Sequence, residues 1–154
     1  MAVYFFDSSA IVKRYLSERG TAWVTSLADP ATGNRVYVAR IAGVEVISAM
    51  TRHARAGAMT PAELATALAQ FRHDFANQYR IVPVNVTVVT RAMNLAEVHA
   101  LRGYDAVQLA AMLEANTQRV SRGAPPLTLV SSDVELNASA AVEGLAVDDP
   151  NVHP

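Results

Sequence analysis

The sequence predicts an α/β domain in which a parallel sheet carries helices on both faces, and three observations lead there. Short β-rich runs alternate with longer stretches of helical period, so successive strands are joined through helices. The 154 residues are 51% hydrophobic and 18% charged, enough apolar content for one ordered core without staples. No repeat, low-complexity tract or linker interrupts the chain, so a single domain is expected over residues 1–148 with a loose tail at 149–154.

Each element has its own signal. Val3, Tyr4, Phe5 and Phe6 form a buried strand ended by Asp7-Ser8-Ser9. Residues 10–16 and 21–28 read as two short helices, broken around Gly20 and closed by Asp29-Pro30. Val36-Tyr37-Val38 is a second strand after the Gly33-Asn34 turn, and a helix over about 41–55 stops at Gly57. Thr60-Pro61-Ala62-Glu63 is a capping box with proline at the first helical position. Down that helix Leu64, Leu68, Phe71, Phe75 and Tyr79 recur at helical spacing. A third strand covers 81–84, helices follow at about 87–100 and 105–118, and Arg102-Gly103 joints them. After Pro125-Pro126 come a strand at 127–130, a short helix at 133–140 and an edge-like strand at 145–147.

Composition narrows the function. Cysteine is absent, which removes disulfides, thiolate metal sites and a cysteine nucleophile, and fits a cytoplasmic location. No segment approaches the ~20 apolar residues of a membrane span. Net charge is −1, so contact with nucleic acid needs local basic patches. Lys13 is the only lysine; arginine suits phosphate and internal carboxylates equally.

Four acids stand in apolar surroundings. Asp7 ends the first strand, Glu45 lies within Ala42-Gly43-Val44-Glu45-Val46-Ile47, Asp105 opens the helix at about 105–118, and Asp133 follows the fourth strand. Sites in open parallel sheets form beyond the carboxyl ends of the strands, where Asp7 and Asp133 fall. Gathered carboxylates need protons or a cation, and Mg²⁺ or Mn²⁺ is the natural compensator. The plain alternative is that Asp7, Asp105 and Asp133 only cap helices, with Ser132 to Glu135 itself a capping box. Glu45 sits inside its helix and calls for a partner, which Arg40 or Arg52 could supply. Spacing alone leaves both readings open.

Four segments, taken together, resemble a known family. They are Phe6-Asp7-Ser8-Ser9-Ala10-Ile11-Val12-Lys13-Arg14-Tyr15, Glu45-Val46-Ile47-Ser48-Ala49, Arg102-Gly103-Tyr104-Asp105-Ala106-Val107-Gln108-Leu109-Ala110, and Leu129-Val130-Ser131-Ser132-Asp133-Val134-Glu135-Leu136. In this order they resemble the PIN domain, most closely the VapC toxins of VapBC systems. The resemblance implies a three-layer α/β/α sandwich with a central parallel sheet and a metal-dependent endoribonuclease. It places the catalytic acids at Asp7, Glu45, Asp105 and Asp133, with Asp7, Asp105 and Asp133 holding Mg²⁺ or Mn²⁺. Ser9 and Ser131 are the supporting hydroxyls, Ser131 standing where threonine is frequent; Tyr104 stands where the family often has a small residue. Glu45 would position the attacking water or serve as its general base. The resemblance also implies an RNA substrate, a small VapB-like antitoxin that sets an arginine near the acids, and a homodimer. The apolar face of the 60–79 helix is the expected dimer surface.

Lys13, Arg14 and Arg102 are candidate phosphate contacts, each with an ion pair or a solvated face as the alternative. His53, His73, His99 and His153 form no metal-spaced pair, and Trp23, Phe71, Phe75 and Tyr79 fit packing better than base stacking. No phosphate-binding glycine loop or nucleophile elbow occurs, so an organic cofactor and a serine hydrolase are not expected. Rival readings are a non-catalytic PIN-like module binding RNA or protein, a related nuclease acting on DNA, and a phosphatase using Asp7 as nucleophile. The last lacks its second acid, because Ser9 stands there.

Overall fold

The computed structural model describes all 154 residues, Met1–Pro154. Five short strands, β1 (Val3–Phe6), β2 (Arg35–Ala39), β3 (Arg80–Val82), β4 (Thr128–Val130) and β5 (Ala146–Asp148), make one sheet in the order β3-β2-β1-β4-β5. Every pairing is parallel. Seven helices join them: α1 (Ser8–Val12), α2 (Thr21–Leu27), α3 (Ala42–Arg55), α4 (Pro61–Asn77), α5 (Val86–His99), α6 (Gly103–Ser121) and α7 (Val134–Val142).

Alternation along the strands explains the layers. Phe5, Ala39 and Leu129 turn to one face, where they meet Val88 and Leu95 of α5, Leu109 of α6 and Leu136 of α7. Phe6, Val38 and Val130 turn to the other, against Ile11 of α1, Val24 of α2, Val46 and Met50 of α3, and Phe71 of α4. Both faces are therefore covered, as all-parallel sheets require. The predicted three-layer α/β/α sandwich is the observed fold.

From β1 the chain winds outward to β2 and β3 on one side, then crosses to β4 and β5 on the other. The reversal lies between β1 and β4, and the crevice at their carboxyl ends is where such folds bind. The register Phe6↔Val130 then sets Asp7 beside Ser131.

One expectation fails in detail, and another is qualified. The tail is not loose: Pro150–Val152 is a turn of 3₁₀ helix, Pro150 is buried, and His153 stacks on Trp23 with ring centroids 3.9 Å apart. Its anchor is Lys13, whose ammonium donates to Asn151 Oδ1 at 3.2 Å. Gly20 makes this docking feasible, since it has φ +85° and a Cβ there would lie 2.5 Å from the carbonyl oxygen of Pro150. Gly20→Ala should therefore cost about 2 kcal/mol or more in urea unfolding and redden the emission of Trp23 as His153 leaves it. An unchanged midpoint and spectrum would show that the tail docks without this contact.

The second concerns α4. Its apolar face is largely used inside the monomer, where Phe71 is buried and Leu64, Leu68 and Phe75 pack against the same core. The exposed apolar stripe lies instead on α5, at Val86, Val89 and Met93.

Candidate active site

Asp7 serves as cap and site residue together. As the residue before α1 its Oδ1 accepts the Ala10 N–H at 3.0 Å, which satisfies a free donor of the first turn. The same oxygen accepts from Ser9 Oγ at 2.7 Å, while Oδ2 accepts from Ser131 Oγ at 2.8 Å. Ser9 also accepts the Ser132 N–H at 3.0 Å, so the loops after β1 and β4 are stitched through this carboxylate. The side chain is almost fully buried, at 4% exposure. Burial pushes its pKa from 3.8 to about 6, against the opposing pull of Ser9, Ala10 and Ser131; the charge of Glu45 adds to the rise.

Glu45 stands in the first turn of α3, half-buried. Neither Arg40 nor Arg52 is its partner, contrary to expectation. Gln108 of α6 donates to Glu45 Oε1 at 3.0 Å, because α3 and α6 converge from opposite sides of the sheet's carboxyl edge. Burial raises the pKa of Glu45, the hydrogen bonds from Gln108 and Ser8 oppose that, and the nearby charge of Asp105 adds to it.

Asp105 is not the helix cap that its sequence position implies. The helix starts earlier, at Gly103, and Asp105 lies in its first turn, with its carboxylate free of protein hydrogen bonds. Its pKa is raised, first by burial and then by the charge of Asp133, while Arg102 lowers it and Glu135 raises it. Asp133 caps α7, accepting the Leu136 N–H at 2.8 Å through Oδ1, and so displaces Ser132 from the capping role. Ser131 Oγ in turn accepts the Asp133 N–H at 3.0 Å.

The four acids thus form a chain of mutually felt charges, Asp7 to Glu45 to Asp105 to Asp133. No three of them are arranged to hold one metal ion directly. The donor chemistry nevertheless fits a hard cation, because every group is a carboxylate oxygen and three of them bear an unrelieved cost of ionisation. Mg²⁺ commonly takes only one or two carboxylates and keeps water as its other ligands, so it does not need three of these acids at once.

The basic candidates separate. Lys13 is buried and donates to Arg19 O at 2.9 Å, Asn151 Oδ1 at 3.2 Å and Glu18 Oε1 at 3.4 Å. Arg14 donates to Tyr79 Oη at 2.6 Å and lies 3.6 Å from Asp74, which also accepts from Tyr15 Oη at 2.7 Å. Both are therefore internal structural cations rather than phosphate contacts. They follow Asp7 on a helix that ends at Val12, and the turn after it swings them away from the crevice toward the tail and α4. Arg102 alone remains exposed beside an acid.

Sequence reading missed two residues, Ser8 and Gln108. Gln108 donates to Ser8 Oγ at 3.0 Å as well as to Glu45. A signal was present: a lone amide within the apolar run of α6, three residues and one turn beyond Asp105. Of the histidines, His99 meets Glu143 at 2.7 Å and His153 meets Asp148 at 2.7 Å, while His53 and His73 are exposed. No helix is long and apolar enough to cross a membrane.

A parallel sandwich with a buried carboxylate and three half-buried ones around its switch point defines a class, and sequence comparison agrees: the chain belongs to the PIN-domain family, whose model, PIN domain, matches residues 4–133. Over its whole 154 residues, and over the whole of each relative, it is 34% identical to Ribonuclease VapC45 and to Ribonuclease VapC49, from two strains of Mycobacterium tuberculosis. The crystal structure of VapBC2 from Rickettsia felis, bound to a DNA fragment from their promoter, superposes with a TM-score of 0.63. That likeness covers 96% of this chain and 98% of the other at 12% identity, and speaks to the fold alone.

Proposed function

We propose that this protein is a metal-dependent endoribonuclease and the toxin of a type II toxin–antitoxin pair, with Asp7, Glu45, Asp105 and Asp133 as its acids. The observation that carries this reading is Asp7, a carboxylate at 4% exposure at the switch point of the sheet, whose ionisation is opposed by burial and by Glu45. The names of the two mycobacterial relatives supply the substrate class, RNA.

When bound, Mg²⁺ or Mn²⁺ would offset the gathered charge and stabilise charge developing at phosphorus during hydrolysis. The chain's own residues do the rest. Ser9 and Ser131 fix both oxygens of Asp7, so the carboxylate reaches its ligand without rearranging. Asp105, free of protein hydrogen bonds, and the second oxygen of Asp133 would add to the donor set directly or through water. Glu45, held from behind by Gln108, orients the attacking water or takes its proton. Arg102 is the cation placed to meet a substrate phosphate beside Asp105.

Metal should be visible without any substrate. At about a hundred times its dissociation constant, Mn²⁺ or Mg²⁺ should stabilise the wild-type protein by about 2.7 kcal/mol. Thermal unfolding that ignores both ions would remove the metal from this reading. Cleavage of single-stranded RNA that stops with chelator tests the activity, and preferential cleavage of the matching DNA would reassign the substrate.

Two partners belong to the proposal. A VapB-like antitoxin, placing a guanidinium among these acids, would relieve the same charge as the metal. A second copy would meet through the α5 stripe of Val86, Val89 and Met93 rather than through α4. Light scattering that gives only monomer at high concentration would dismiss the dimer.

A further inference from the structure

Gln108 is 2% exposed, on the face of α6 turned toward α1 and α3. Its Nε2 lies 3.0 Å from Glu45 Oε1 and 3.0 Å from Ser8 Oγ. Those two bonds consume both amide hydrogens, so the orientation of the amide is set by its acceptors. The other end of the amide is the revealing part: Oε1 is buried and has no partner within the protein. Interior polar atoms are nearly always paired, and a bare one calls for an explanation. Its helix neighbours Leu109, Ala110 and Ala111 are apolar, and a hydrocarbon side chain of similar volume would pack there without a stranded acceptor. The arrangement therefore favours the donor over the packing.

We propose that Gln108 is a positioning residue that acts through Glu45. It pins the carboxylate toward the crevice and, through Ser8, ties it to the first turn of α1 that Asp7 caps. Ser8 Oγ and Glu45 Oε1 thus share one donor, the Gln108 amide nitrogen. This inference rests on the ribonuclease reading for its kinetic consequence, but its geometric content stands apart from it.

The test has two arms. In RNA cleavage, Gln108→Met should lower kcat about 10- to 100-fold, as loss of a supporting hydrogen bond commonly does, with KM little changed. Gln108→Asn, one methylene too short to reach, should do the same. The double variant Gln108→Met with Glu45→Gln should be no slower than Glu45→Gln alone, because both changes act on one function. Losses that multiply, or a wild-type rate in Gln108→Met, would overturn the proposal. The second arm needs no activity: in ¹⁵N-labelled wild-type protein the Gln108 side-chain amide should exchange slowly with solvent and lose that protection in Glu45→Ala. Exchange at the rate of an exposed glutamine would overturn it too. A protected amide in a protein that cleaves no RNA would sink the ribonuclease reading and leave the positioning of Glu45 intact.

Discussion

Replacing Asp7 by asparagine is expected to lower RNA cleavage about a thousandfold or more while making the metal-free protein more stable at neutral pH. The activity loss follows from removing the charge at the centre of the donor set. Ser9 and the Ala10 N–H can still bond to the amide oxygen, so the cap survives. The stability gain follows from burial. With its folded pKa near 6 against an ordinary 3.8, Asp7 binds its proton more tightly in the native state than in the unfolded chain. Its favourable contribution is complete below about pH 4 and is lost as pH rises through about 6, a swing of roughly 3 kcal/mol. Asparagine does not ionise, so the variant should gain on wild type across that window and match it more closely in acid. Urea unfolding at pH 4, 6 and 8 without metal measures this. A variant less stable than wild type at pH 8 would show that Ser9 and Ser131 stabilise the carboxylate more than burial penalises it. Added Mn²⁺ should narrow the gap, because the ion stabilises only the wild type.

Glu45→Gln is expected to lower kcat about 100- to 10,000-fold, the range of a lost general base, and to leave metal binding nearly intact. The substitution is close to isosteric, and the new amide oxygen can still accept from Gln108. Only the basicity disappears. The two variants should therefore part company in one experiment: thermal stabilisation by Mn²⁺ survives in Glu45→Gln and vanishes in Asp7→Asn. If Mn²⁺ no longer stabilises Glu45→Gln, then Glu45 is a metal ligand and not a base. If Glu45→Gln cleaves RNA at the wild-type rate, the residue has neither role.

Much of the architecture was readable because it depends on neighbours along the chain. The capping box at Thr60 forms as expected, with Glu63 N–H donating to Thr60 Oγ1 at 3.2 Å and Thr60 N–H donating to Glu63 Oε2 at 2.7 Å. Alternation in β1 and β2 and the helical spacing of Leu64, Leu68 and Phe71 follow from periods of two and 3.6, which no tertiary contact alters. The acids were legible for a different reason. Charge set in apolar sequence is costly, so an acid at a strand end or inside an apolar helix invites a functional reading.

What the sequence alone determined is therefore the order and type of the elements, the layers of the sandwich and the four acids at stake. Tertiary structure decided who meets whom. Glu45 is held by a residue 63 positions away, Lys13 by one 138 positions away, and Arg14 by Asp74 and Tyr79 of a helix end laid across it. Such pairings depend on strand register and on how helices rest against the sheet, and a shift of one residue in β1 against β4 would part Asp7 from Ser131. Short-range geometry is written in spacing; long-range partnership is settled only when the chain has packed.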